Sequence, residues 1–276
     1  MTKTLAVLGM ALVVTLVVAG PAFCELSLPY GSATVDGDLS DWADASWNSL
    51  DAVYDSYPID IAGGAWAARW TADKVYMAVK VQDTDHIFSD SNTGWGLSDA
   101  LELTIHTTGS TGDYPQYFEP AQQWTVGITT ALDGSVWATA GYPDVYGAYT
   151  PTVSQFQAVG SVNGEWLYYE AAITPFEYFG SKIGEDDVMS PLSAGMTIGL
   201  DCTAVGNDGV STNEYEIPGY TGMKCSDLDQ TIGGWSENYY LISQHLLVPE
   251  PGAGLLAVLG AGIMVLAGFA VKRRKA

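Results

Sequence analysis

The chain has 276 residues, of which 10 are Lys or Arg and 32 are Asp or Glu, for a net charge of −22. Five of the cations sit in the two end segments, so the span between them is more acidic still. A field of that sign repels phosphate backbones and anionic lipid and favours cations and neutral ligands, which excludes nucleic-acid binding.

In chain order, Met1 to Ala22 joins one lysine, Lys3, to an apolar run from Leu5 to Ala19 and a Gly20-Pro21-Ala22 small-x-small site. These are the three parts of a secretory signal peptide, so the protein is expected to be exported. Cys24 follows Phe23 rather than a small residue, which disfavours lipid attachment there.

The body, residues 25–247, reads as strands. Val75, Met77, Val79 and Val81 share one face against Lys80 and Gln82, the period of two of a half-buried strand. Leu101, Leu103 and Ile105 alternate with Glu102, Thr104 and His106. Met196, Ile198, Leu200, Cys202 and Ala204 alternate with Thr197, Gly199, Asp201 and Thr203. Trp166 to Ile173 is apolar or aromatic on both faces, which suits a strand near the centre of a sandwich. Gly, Asn, Asp and Ser clusters such as 89–96, 108–113 and 206–209 supply the turns.

Helix signals are nearly absent. The best is a short turn at Thr174 to Phe179, with threonine as cap and proline first. Part of Tyr114 to Tyr149 reads as a loop-rich insertion. The expected fold class is all-β: a single antiparallel β-sandwich, preceded by the signal peptide and followed by one transmembrane helix.

Cysteine and histidine usage narrows the chemistry. Cys202 and Cys225 lie in the body of a chain sent to an oxidising compartment, which allows a disulfide between them. There is no Cys-x-x-Cys pair and the histidines are His86, His106 and His245, which argues against a zinc or haem site. Asp36, Asp38 and Asp41 have the start of an EF-hand loop, but Trp47 holds the twelfth position where a bidentate glutamate is needed.

The C-terminal segment, residues 248–276, has three parts: Val248-Pro249-Glu250-Pro251, an uncharged run from Gly252 to Val271, and Lys272, Arg273, Arg274 and Lys275. As a helix the run would be about 30 Å long, matching a bilayer core. The cations mark the side retained in the cytoplasm. The three parts in this order resemble the PEP-CTERM sorting signal of Gram-negative bacteria. In that family the Pro-Glu-Pro motif is recognised by exosortase, a membrane-embedded cysteine peptidase, and the resemblance implies that this protein is its substrate. Two prolines cannot enter a helix interior, so the motif stays extended at the outer mouth of the bilayer. The protein is thus expected in the cell envelope or on the extracellular surface, at least transiently anchored in the membrane.

Further landmarks in the body follow a recognisable order. Val35-Asp36-Gly37-Asp38-Leu39-Ser40-Asp41-Trp42 precedes Ala67 to Trp70 and Asp73 to Asp83. Trp95, Asp99 to Ile105, Tyr168 to Ile173 and Gly195 to Leu200 come next. The series looks like the family 9 carbohydrate-binding module and its DOMON-like relatives over nearly all of residues 30–243. That resemblance implies a non-catalytic β-sandwich that binds sugars, with a polysaccharide or exopolysaccharide as the expected partner; some members stack a terminal saccharide between aromatic rings, with Ca²⁺ steadying the loops. Trp95 and Trp235, set among glycines, are the first stacking candidates, and Trp137 is the third. Trp42 and Trp70 read as structural. Asp83, Asp85 and Asp99 are the candidate Ca²⁺ ligands, since the ion prefers hard carboxylate oxygens.

Two other functions stay open at this point: a structural or adhesive surface protein without sugar binding, and a glycoside hydrolase using two of the carboxylates. No Gly-x-Ser-x-Gly elbow supports a serine hydrolase.

Overall fold

The computed structural model describes residues 26–53, 61–90, 98–108, 121–140, 152–178, 187–206, 222–225 and 244–248. Along them run β1 (Leu26–Pro29), β2 (Asn48–Ser49), β3 (Ala52–Val53), β4 (Ile61–Trp70) and β5 (Val75–Asp83). The middle of the chain forms β6 (Ala100–His106), β7 (Ala121–Ile128), β8 (Val136–Ala140), β9 (Phe156–Asn163) and β10 (Trp166–Ile173). The last strands are β11 (Phe176–Tyr178), β12 (Val188–Met189), β13 (Thr197–Gly206), β14 (Gly222–Cys225) and β15 (Gln244–Val248). The signal peptide and the apolar C-terminal run lie outside the described residues. Among the described residues no helix is long and apolar enough to cross a membrane.

Two sheets face each other. One has the order β1-β15-β13-β6-β7-β8, with β14 added to β13 and β3 to β14; the other is β2-β4-β5-β10-β9. Pairing is antiparallel except between β1 and β15. The alternation in β5, β6 and β13 is realised: Val75, Met77, Val79, Val81, Leu101, Leu103, Ile105, Ile198, Leu200 and Cys202 all enter the core between the sheets. Trp66, Trp70, Trp124 and Tyr169 fill the same core. Removing such apolar surface from water is the main force holding the sheets together.

Trp42 and Trp70 are structural, as expected. Trp70 donates its indole N–H to the Leu28 and Val248 carbonyls at 3.0 and 3.1 Å, tying both ends of the body to β4. Trp42 ends a one-turn 3-10 helix, Leu39–Trp42, which Asp38 caps by accepting from the Ser40 N–H at 3.0 Å. Its ring packs on Ala67 and Ala78, on the outward face of the five-stranded sheet. There Glu170 accepts from the Trp42 indole and from the Asp36 and Gly37 backbone at 2.8, 3.1 and 2.6 Å. This explains why β10 is apolar or aromatic on both faces: the segment before β2 covers one end of its outer side.

Two expectations need correction. The turn at Thr174 to Phe179 is not helical through Tyr178: Phe176–Tyr178 forms β11 and pairs with β12. Burial of Phe176 and sheet pairing override the local cap signal, and the Thr174 hydroxyl accepts from Lys74 Nζ at 2.6 Å. The span Tyr114 to Tyr149 contains β7 and β8, a hairpin whose Trp124, Val126 and Ile128 enter the core. Gly127 and the glutamine pair before Trp124 hide that alternation in the sequence. For the cysteines, the β13–β14 register opposes Cys225 to Thr203, one residue out of step with buried Cys202.

Candidate functional site

Because side chains alternate across a strand, residues between the core positions of β6, β7, β8 and β13 share the outward face of the larger sheet. The register sets them in rows. Thr139, Thr125, Glu102 and Thr203 form one; Gln123, Thr104 and Asp201 form the next; Trp137, Gly127 and Ala100 flank the first. Directly opposed residues have Cβ atoms about 4.5–5.5 Å apart, so each row is a continuous polar strip.

An outward face is normally solvated, yet this one is buried. Glu102 is 3% exposed, Gln123 and Thr125 each 2%, and Asp201 7%. Three polar groups on it, Gln123 Nε2, Thr125 Oγ1 and Trp137 Nε1, are buried without a hydrogen-bond partner. Buried polar groups are nearly always paired, and an unpaired one costs about 1–3 kcal/mol. Three on one sheet face form a cluster that no hydrogen-bond partner among the described residues serves.

Trp137 completes the geometry. Gly127 lies directly opposite it in the register, and a Cβ built at Gly127 would fall 2.4 Å from two atoms of the indole ring. The ring therefore lies against the glycine backbone, and the missing side chain is what makes room for it. This places the third stacking candidate on the polar face, 9% exposed and on a strand rather than in a loop. Trp95 and Trp235 lie outside the described residues.

The carboxylates singled out for Ca²⁺ sit elsewhere, where β5 ends and the chain approaches β6. Asp83 accepts from the Asp85 N–H at 2.9 Å, and Asp99 accepts from the Ile87 N–H at 2.7 Å. Asp83 and Asp99 are buried, while Asp85 is exposed. Burial raises the Tyr169 phenol well above its usual pKa, and the charges of Asp99 and then Asp83 push in the same direction, so both carboxylates act on one buried ring. Their oxygens suit a hard cation, but among the described residues no three His, Cys, Asp or Glu side chains converge to hold a metal.

Sequence reasoning missed Glu102, Gln123 and Thr125. Their alternation with apolar residues marks them as outward, and nothing local says that the outward side is covered. One signal was present: on β6, β7 and β13 these outward positions carry amides, hydroxyls and acids but no lysine or arginine.

No family model matches the chain. No curated protein matches it either. Among solved structures, a family 9 carbohydrate-binding module from Caldicellulosiruptor kristjanssonii in complex with cellotriose aligns with a TM-score of 0.57 at 14% identity, covering 83% of this chain and 96% of that one. A structure of a family 9 module from the same organism in complex with glucose aligns with a TM-score of 0.55 at 15% identity, covering 82% and 96%. The sandwich described above thus has the fold of family 9 carbohydrate-binding modules.

Proposed function

We propose that this is an exported, non-catalytic carbohydrate-binding protein of the cell envelope or extracellular matrix, and that its sugar site is the outward face of the larger sheet. The carrying observation is the cluster of partnerless buried groups, Gln123 Nε2, Thr125 Oγ1 and Trp137 Nε1, beside Glu102. A saccharide presents hydroxyls to such groups and apolar C–H patches to a ring such as Trp137. Solved modules of this fold hold cellotriose and glucose, which supports the same ligand class here. Trp95 and Trp235, set among glycines, are carried from the sequence as further stacking candidates. Ca²⁺ enters only as a brace for the segment between Asp83 and Asp99, and no sugar contact depends on it.

The C-terminal segment belongs to the same proposal as an exosortase substrate. Strand β15 ends at Val248, whose carbonyl accepts from the Tyr30 N–H at 3.1 Å as well as from Trp70. Pro249 has no N–H with which to continue a ladder, so the Pro-Glu-Pro motif starts where the body's last described backbone hydrogen bonds stop.

The test is sugar binding by Thr125→Val and Gln123→Leu, scored on a glycan array and by calorimetry with the best ligand. Each substitution removes a buried group that has no partner among the described residues, so stability is expected to hold or rise. Affinity is expected to fall by about 1–3 kcal/mol per substitution. Unchanged affinity in both variants refutes the site, and no binding to any glycan favours the structural or adhesive role.

A further inference from the structure

The opposite face of the sandwich carries a second feature that the proposed sugar site does not use. The segment around Trp42 covers only one end of the five-stranded sheet. At the other end Trp166 and Tyr168 stand on the outward face of β10, both partly exposed, with ring centroids 6.4 Å apart and planes within 22° of parallel. They are neighbours two residues apart on one strand, so the rings repeat along the strand axis.

The surroundings are polar and low. Register places Gln82 and Asn163 on either side of Trp166, and Lys80 and Ser161 on either side of Tyr168. Beyond them on β4 stand Gly63 and Ala65, and a Cβ built at Gly63 meets nothing within 4 Å. No carboxylate stands among these outward positions, in a chain whose net charge is −22. Glu165, in the turn at the strand end, accepts from Gln82 at 3.3 Å, and the Lys80 ammonium lies over the Trp47 ring at 4.5 Å from its centroid.

We propose that this platform binds an extended, uncharged polysaccharide chain, lying along β10 with successive sugar rings over Trp166 and Tyr168. The occupant follows from the chemistry. Two near-parallel rings repeating along a line match a polymer of repeating rings, and the flanking amides and hydroxyls of Gln82, Asn163 and Ser161 suit its hydroxyl groups. The platform's one ammonium already rests on an indole, so nothing here is built to fix a charged group. The platform and the site around Thr125 lie on opposite faces of one sandwich. With both occupied, the protein joins two glycan chains, a role suited to a matrix.

The experiment uses the full-length protein, with depletion onto microcrystalline cellulose and insoluble xylan as one measurement and cellotriose titration as the other. The variants are Trp166→Ala with Tyr168→Ala, and Ser161→Arg, which lays a long side chain over the rings without removing packed atoms. Both are expected to lower partition onto at least one insoluble polymer by about tenfold or more while leaving cellotriose affinity unchanged. If the double variant fails to fold, Ser161→Arg carries the test alone. Wild-type partition in Ser161→Arg overturns the proposal, as does failure of the native protein to bind either polymer. So does a loss of self-association in the variants without a change in polymer binding, which would assign the platform to a second copy of the chain. Loss of cellotriose binding in Thr125→Val with polymer binding intact would separate the two faces.

Discussion

Replacing Gly127 by alanine tests the packing on which the candidate site rests. The added Cβ would sit 2.4 Å from the Trp137 ring, far inside van der Waals contact, and a rigid indole cannot yield as the end of a flexible chain would. Overpacking of this kind costs about 1–3 kcal/mol. Alanine also removes backbone freedom from the unfolded chain, which returns about 0.4–1 kcal/mol. The net loss is then about 1–2 kcal/mol, or a fall of about 2–8 °C in Tm for a body of this size. The same substitution made in a Trp137→Ala background meets no ring, so there it should be neutral or mildly stabilising. Thermal denaturation of the two single variants, the double variant and the native protein closes the cycle. A Gly127→Ala cost that is the same with and without Trp137 would refute the contact, and with it the position assigned to the ring. In the native background the displaced indole should also weaken sugar binding.

Glu170→Gln should cost about 1–3 kcal/mol, because Glu170 Oε2 serves Asp36 and Gly37 while Oε1 serves Trp42, and an amide can accept on only one side. Burial outweighs those three donors and holds the Glu170 carboxyl above the usual carboxylate range, so folding favours its protonated form. The penalty it imposes on folding is therefore full above the raised pKa and fades as pH falls towards the unfolded value. Chemical denaturation from pH 7 to pH 4 should show the native protein gaining relative to Glu170→Gln, and an opposite trend would reject the assignment. A chain ending at Val248 should melt with the same Tm as the full body, whereas one ending at Ser243 loses β15 and its bonds to β1, β13 and Trp70, and should lose cooperative melting by circular dichroism. Substituting Pro249 and Pro251 together by alanine should leave the C-terminal segment uncleaved in cells that contain exosortase, visible as a heavier band on a gel; normal processing would contradict the sorting assignment.

Several features were determined by the sequence alone because they depend on local period or on charge. The core sides of β5, β6 and β13 follow from alternation, since a strand turns its side chains over every residue. Structural roles for Trp42 and Trp70 and a sandwich with the fold of family 9 modules were also legible, from the order of landmarks along the chain. What depends on pairing between distant segments emerges once the strands are assembled. Alternation states that Glu102, Gln123 and Thr125 face away from the core, but whether that side meets water is set by parts of the chain far away in sequence. The lodging of Trp137 against Gly127, the step that opposes Cys225 to Thr203, and the capture of Phe176 into a strand all arise from cross-strand register and burial. Hydrogen bonds between strands choose that register, and no single strand contains it.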